Sequence, residues 1–318
     1  MLLKYDSEGI KKRSISETCR NIAFKNVKLY TGKEPEYTLR YRKGMATRMI
    51  QTSKVYKCFP NGKFKVLTTS YDDGQIHDRQ LVNIFNRYGI KGTFHLNSGL
   101  FEKDPRRLPK EEIKVLYKGH EIACHTLTHP TIALCPLPMT AQQILEDRIN
   151  LEEITGAPVR GLSYPNGSYN EEIKALLKPL GIEYSRVVGN TDDFSLPNDY
   201  YEWKATCHHK HNLVQNAERF LKLSTRQYLY LFYVWGHSYE FNNDKNWDLI
   251  EDFCQKVSGK DDIWYATNIE IVDYLRIWDN LRFTAKGNIV YNPSAQSAFA
   301  CVNDEIIEIK GGTQTILF

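Results

Sequence analysis

The chain has 318 residues, of which 42% are hydrophobic and 25% charged, a composition that excludes wholesale disorder. At this length a core can form without a disulfide framework. Its 42 basic residues against 38 acidic ones give a net charge of only +4, too slight and too spread to argue for nucleic acid binding.

The opening residues, Met1-Leu-Leu-Lys-Tyr-Asp-Ser-Glu8, lack the apolar core of a secretory signal. The longest apolar run, Tyr228 to Trp235, is too short to span a bilayer. The cysteines at 19, 58, 124, 135, 207, 254 and 301 form no close C-x-x-C pair. They read as reduced thiols, and the expected location is cytoplasmic, or secreted if a signal has been removed.

Residues 1–63 show no clear period and read as an N-terminal extension of short strands, as in Tyr37-Thr-Leu-Arg-Tyr-Arg42. A regular alternation begins at residue 64. Phe64–Tyr71 is a strand, and Leu81, Ile84, Phe85 and Tyr88 give one face of a helix that Gly89 closes. Thr93–Leu96 is the next strand, with Pro109 opening a helix. Glu121–His125 follows, and Thr140-x-x-Gln143 has the spacing of a capping box. Further strands are expected near 159–163, 182–187, 228–235 and 263–267, with helices near 170–180, 211–224, 247–258 and 268–280. Seven strands alternating with helices predict a parallel α/β fold over residues 64–282. Residues 283–318 read as a small antiparallel β appendage, broken by Asn-Pro, Asn-Asp and Gly-Gly turns.

Functional loops of α/β proteins follow the carboxyl ends of the strands. Those ends carry Asp72-Asp73-Gly74, His125-x-x-x-His129-Pro130, Tyr164-Pro-Asn-Gly167 and Trp235-Gly-His237. Each is weak alone: Asp-Asp-Gly is an ordinary turn, and an H-x3-H pair arises by chance. Together they offer two carboxylates and three histidines on one face. Two imidazoles and a carboxylate suit Zn²⁺ or a similar divalent ion with positions left for water and substrate. A second carboxylate and a further histidine could then serve as base and acid. His208, His209 and His211 read as polar residues of a loop before a helix.

In order and content these segments resemble the motifs of the polysaccharide deacetylase family, the NodB-homology domain of carbohydrate esterase family four, in a divergent Tyr-Pro-x-Gly branch. Gly119-His-Glu-Ile followed by His125-Thr-Leu-Thr-His-Pro130 is the most specific of them. The resemblance covers about residues 64–280. It implies a distorted (β/α)7 barrel and a hydrolase that removes N-acetyl, or less readily O-acetyl, groups from a carbohydrate such as an acetylated amino sugar. It also implies that Asp73, His125 and His129 hold a divalent metal, Zn²⁺ first and Co²⁺, Ni²⁺ or Mn²⁺ as alternatives. Asp72 would be the general base, His237 the general acid, and the Asn166 backbone N–H an oxyanion donor.

Three departures from the family pattern stand out. Ser163 occupies the position of an arginine that contacts the base. Trp235 replaces a leucine of the acyl pocket. The acidic-aromatic motif finds only Asp192-Asp193-Phe194 as a candidate. Arg186, at the neighbouring strand end, is expected to reach Asp72, or another acidic group of the site, in place of the missing arginine. Two other functions fit the same residues: hydrolysis of a non-sugar amide or cyclic ureide, and a catalytically silent carbohydrate-binding module. The sequence sets no oligomeric state.

Overall fold

The computed structural model describes residues 53–318. Cys19 and the strands expected before residue 53 lie outside the described residues. In chain order the strands are β1 (Val55–Cys58), β2 (Lys65–Asp72), β3 (Gly92–Leu96), β4 (Glu121–Cys124), β5 (Gly161–Ser163), β6 (Tyr184–Asn190), β7 (Trp203–Ala205), β8 (Cys207–His208), β9 (Tyr230–Gly236), β10 (Ile263–Tyr265), β11 (Arg282–Phe283), β12 (Ile289–Tyr291), β13 (Ala298–Val302), β14 (Glu305–Ile309) and β15 (Gln314–Ile316). The helices are α1 (Asp78–Tyr88), α2 (Lys110–Leu116), α3 (Leu137–Thr155), α4 (Glu171–Leu177), α5 (Leu213–Leu221), α6 (Ser238–Asp244), α7 (Trp247–Val257) and α8 (Asn268–Asp279).

All eight residues of β2 are buried, as a strand covered on both faces requires. It pairs in parallel with β9 on one side and with β3 and β10 on the other. The order then runs β3, β4, β5, β6, β7. β7 and β8 are two halves of one short stretch broken at Thr206: β7 pairs with β6 and β8 pairs with β9. That break closes the ring, giving the distorted seven-stranded barrel that the family resemblance implies, but its seventh member is the unpredicted Trp203–His208 stretch, and the strand expected near 263–267 is β10, inserted beside the first half of β2. The helices pack outside it. In α1, Leu81, Val82, Ile84 and Phe85 face the core, and Gly89 ends the helix at φ 65°, where a Cβ would be strained.

The Thr140-x-x-Gln143 capping box does not form. α3 begins earlier, at Leu137 after Pro136, and Thr140 lies inside it with its hydroxyl donating to the Ile132 carbonyl. The proline's fixed φ sets the start before the threonine can.

β1 pairs antiparallel with β13, which pairs with β14, so residues just before the barrel and residues near the C-terminus share one three-stranded sheet. β11, β12 and β15 form a second small antiparallel sheet. No helix among the described residues is long and apolar enough to cross a membrane.

Candidate active site

Strand register assembles the site. Asp72 is paired with His95, Tyr71 with Gly236, and Ser163 with Arg186, so these residues and their successors emerge at one rim. His125 follows β4 directly, with its N–H donating to the Leu96 carbonyl. Four non-glycine residues of the rim loops adopt positive φ: Asp73 (86°), Thr126 (64°), His129 (61°) and Asn166 (56°). Thr126 is β-branched and strained there. The Asn97 amide secures its loop, donating to the carbonyls of His125 and Thr126.

Asp72 is only 2% exposed. Its Oδ2 is paired with Arg186 Nη2, and its Oδ1 accepts from the Ser163 hydroxyl at 3.1 Å and faces His95 Nδ1 at 3.3 Å. Burial alone would raise its pKa. The Arg186 charge, helped by His125 and His95, outweighs this and holds the carboxyl well below the usual range. Arg186 is itself fully buried and lies over the Trp235 ring at 4.3 Å. The serine at 163 and the tryptophan at 235 therefore belong together: the guanidinium comes from β6 instead of β5, and the large ring covers it.

Asp73, His125 and His129 each bring one ligand atom within 4.8 Å of the other two. The His125 Nδ1 lies 2.8 Å from the Ser163 carbonyl, which can only accept, so the proton sits on Nδ1 and the Nε2 lone pair faces the acids. Burial pushes His125 down to about 4, so it stays neutral. Asp73 Oδ1 is buried without a hydrogen-bond partner, although Arg107 Nη1 stands 3.0 Å away. A neutral imidazole with a fixed lone pair and a buried carboxylate oxygen that accepts no hydrogen bond fit a divalent cation.

His237 follows β9 and its pKa is raised. Burial acts to lower it, but the Glu240 contact and the charges of Asp72 and Asp73 outweigh burial. Asn166 is exposed at the rim with its side chain donating to Thr131 Oγ1. Its backbone N–H donates to no group among the described residues. The Asp192–Phe194 segment does not join this group. Asp192 binds His211 and Asn216, Asp193 binds Ser195, and Phe194 is core.

Several residues of this rim escaped sequence reading. Asp147 of α3 is fully buried and accepts from the N–H of His125 at 3.0 Å and of Ser98 at 2.8 Å. Gln143 accepts from the Thr128 N–H at 2.9 Å and so anchors the loop to His129. Both lie far along the chain from what they hold, and no local pattern marks them. His208 ends β8 instead of lying in a loop, and its Nε2 is 3.0 Å from Glu240 Oε2. Glu240 had a signal, since it stands three residues after His237.

Residues 60–185 match the family profile described as polysaccharide deacetylase. Over that stretch the chain is similar to polysaccharide deacetylases. Within the matched stretch lie Asp72, Asp73, His125, His129, Ser163 and Asn166, whereas Arg186, His208, His237 and Glu240 lie beyond it. The chain is 26% identical over 107 residues to a chitooligosaccharide deacetylase of Sinorhizobium fredii, covering 33% of this chain and 48% of that one. It is 24% identical over 116 residues to the peptidoglycan-N-acetylmuramic acid deacetylase PdaC of Bacillus subtilis, covering 36% and 24%. It thus spans about half the length of the first relative and a quarter of the second. The crystal structure of a polysaccharide deacetylase assigned in Mycobacterium smegmatis superposes with a TM-score of 0.52 at 17% identity, over 70% of this chain and 94% of that one. That likeness shows the deacetylase domain's fold.

Proposed function

We propose that this protein is a metal-dependent hydrolase that removes N-acetyl groups, and less readily O-acetyl groups, from a carbohydrate, with residues 64–282 as its catalytic unit. The observation that carries the reading is the joining of two sets at one rim. Asp73, His125 and His129 form a ligand set with atoms within 4.8 Å, and Asp72 stands beside it, held ionised by Arg186. The names of the two curated relatives point to N-acetylated sugars as the substrate class.

A divalent cation, Zn²⁺ first, would be held by Asp73, His125 and His129, and when bound supplies Lewis acidity to the acyl oxygen and acidifies water. Asp72 takes the proton from the attacking water. Its depressed pKa keeps it ready to accept over the whole neutral range, and the Ser163 and Arg186 contacts fix its orientation. The Asn166 N–H, free of partners among the described residues, stabilises the oxyanion. His237, whose pKa is raised because Glu240, Asp72 and Asp73 outweigh the lowering by burial, gives its proton to the departing amine.

Acetate release from N-acetylated chitooligosaccharides, assayed with and without Zn²⁺ after chelation, tests the reading. Metal-restored release is expected. Full release from the stripped protein would refute the metal's role.

A further inference from the structure

Arg106 and Arg107 lie between β3 and α2 and turn opposite ways. Arg106 is exposed and forks onto Asp104. Arg107 is only 8% exposed and turns inward to Asp73. Backbone pairing sets it there. The Ile76 N–H donates to the Arg106 carbonyl, the Leu108 N–H donates to the Gly74 carbonyl, and Gln75 bridges Arg107. The loop after Asp73 and the segment carrying Arg107 are thus tied together.

Two contacts join Arg107 to Asp73, and they differ in kind. Nη1 donates to the Asp73 backbone carbonyl. The same Nη1 stands 3.0 Å from Asp73 Oδ1, which accepts no hydrogen bond among the described residues. The guanidinium is therefore aimed by the backbone and meets the carboxylate as a charge. Oδ1 also lies 3.9 Å from His129 Nε2, so one oxygen faces both a proposed co-ligand and a fixed cation. The other ion pair of Arg107, with Asp104 at 3.6 Å, is looser and is shared with Arg106 at 2.7 Å.

Two consecutive buried carboxylates, Asp72 and Asp73, thus each face a buried guanidinium, Arg186 and Arg107. Their charges cancel. A divalent ion held by Asp73, His125 and His129 would take this buried group from neutral to doubly positive, and like charges repel strongly there. His125 shows the opposite tuning. Its Nδ1–H donates to the Ser163 carbonyl, which strengthens Nε2 as a donor atom, whereas a cation beside Oδ1 weakens that oxygen. Holding the loop would explain the carbonyl contact, but a neutral donor would serve that purpose as well.

We propose that Arg107, acting through Asp73, lowers the affinity of the Asp73–His125–His129 set for a divalent cation, so that the cation exchanges instead of being locked in. This rests on the reading of that set as the metal site.

The test titrates Zn²⁺ into the metal-stripped full chain against a chelating indicator near neutral pH, with circular dichroism to confirm folding. Arg107→Gln removes the charge and should bind Zn²⁺ at least about tenfold tighter than wild type, because a close repulsion between buried like charges is relieved. Arg107→Lys keeps the charge without the fork and should stay within about threefold of wild type. A structural role moves affinity the other way, since losing a support to a ligand typically weakens binding about 10–100-fold. A smaller gain or a loss in folded Arg107→Gln, or a larger change in Arg107→Lys, would overturn the proposal. The second decides alone should Arg107→Gln fail to fold. Tighter binding in Arg107→Gln with no acetate release by wild type would defeat the deacetylase reading and leave the proposal standing. Weaker binding in Arg107→Gln, with metal-restored release by wild type, would do the reverse.

Discussion

The Arg186 guanidinium, from β6, is paired with the carboxylate of Asp72, from β2, and neither group is reached by solvent to any useful extent. Strands β3, β4 and β5 lie between them in the sheet order, so the pair spans the barrel interior. Breaking a buried pair by removing one partner leaves an uncompensated charge. The contact therefore bears on both stability and the ionisation of the proposed base.

Arg186→Ala should destabilise the protein by about 3–5 kcal/mol, the usual cost of orphaning a buried charge. Asp72 is depressed in the folded state. Its contribution to stability is thus complete above the unfolded carboxylate pKa and is lost as pH falls through the folded value. Without Arg186 the folded pKa rises, so the acidic limb of kcat/KM should move to higher pH while bound metal stays constant. Arg186→Lys should keep more of the stability. Urea denaturation and a pH–rate series check this.

His129→Asn should remove most of the bound metal while leaving the fold intact. Asparagine tolerates the φ of 61° at this position, so the loss reports a missing ligand and not a strained loop. Metal content after gel filtration, read against circular dichroism, is the measurement.

The α/β alternation was legible because strands such as β9 are apolar runs ended by polar turn residues, and periodicity located most helices, whereas closure into a barrel came only from the family resemblance. The clustering of Asp73, His125 and His129 was legible for the same reason, since they sit at strand ends within short motifs. Arg186 was legible only as a charge at a strand end, since its reach to Asp72 depends on the β5–β6 register. Asp147, Gln143 and His208 were not legible. Each acts through a contact set by packing between distant elements, and the Thr140-x-x-Gln143 spacing suggested a helix cap where Gln143 instead holds the loop before His129.

Asp147 gives a pH effect of opposite sign to that of Asp72. Burial pushes its carboxyl up to about 7, only partly opposed by the Ser98 and His125 donors. The folded state therefore binds the extra proton between the unfolded value and about 7, and stability from this group falls as pH rises through that window. Asp147→Ala should flatten this slope in a denaturation series from pH 4.5 to 7.5. It should also weaken metal binding about 10–100-fold, as loss of an outer-sphere support to a ligand typically does.

His237 should set the alkaline limb of the rate profile. Its pKa is raised because Glu240, Asp72 and Asp73 outweigh burial, so the acid stays protonated to a higher pH than a free imidazole. His237→Gln should remove that limb and slow amide substrates more than activated esters. A limb unchanged by the substitution would assign the acid elsewhere.

The central claim, that this rim deacetylates a carbohydrate with Asp72 as base beside a metal set, is tested most directly by acetate release from Asp72→Asn. The account predicts full metal content with acetate release from N-acetylated chitooligosaccharides reduced about 10²–10⁴-fold relative to wild type. Wild-type rates in Asp72→Asn, or a loss of metal as large as the loss of rate, would contradict it.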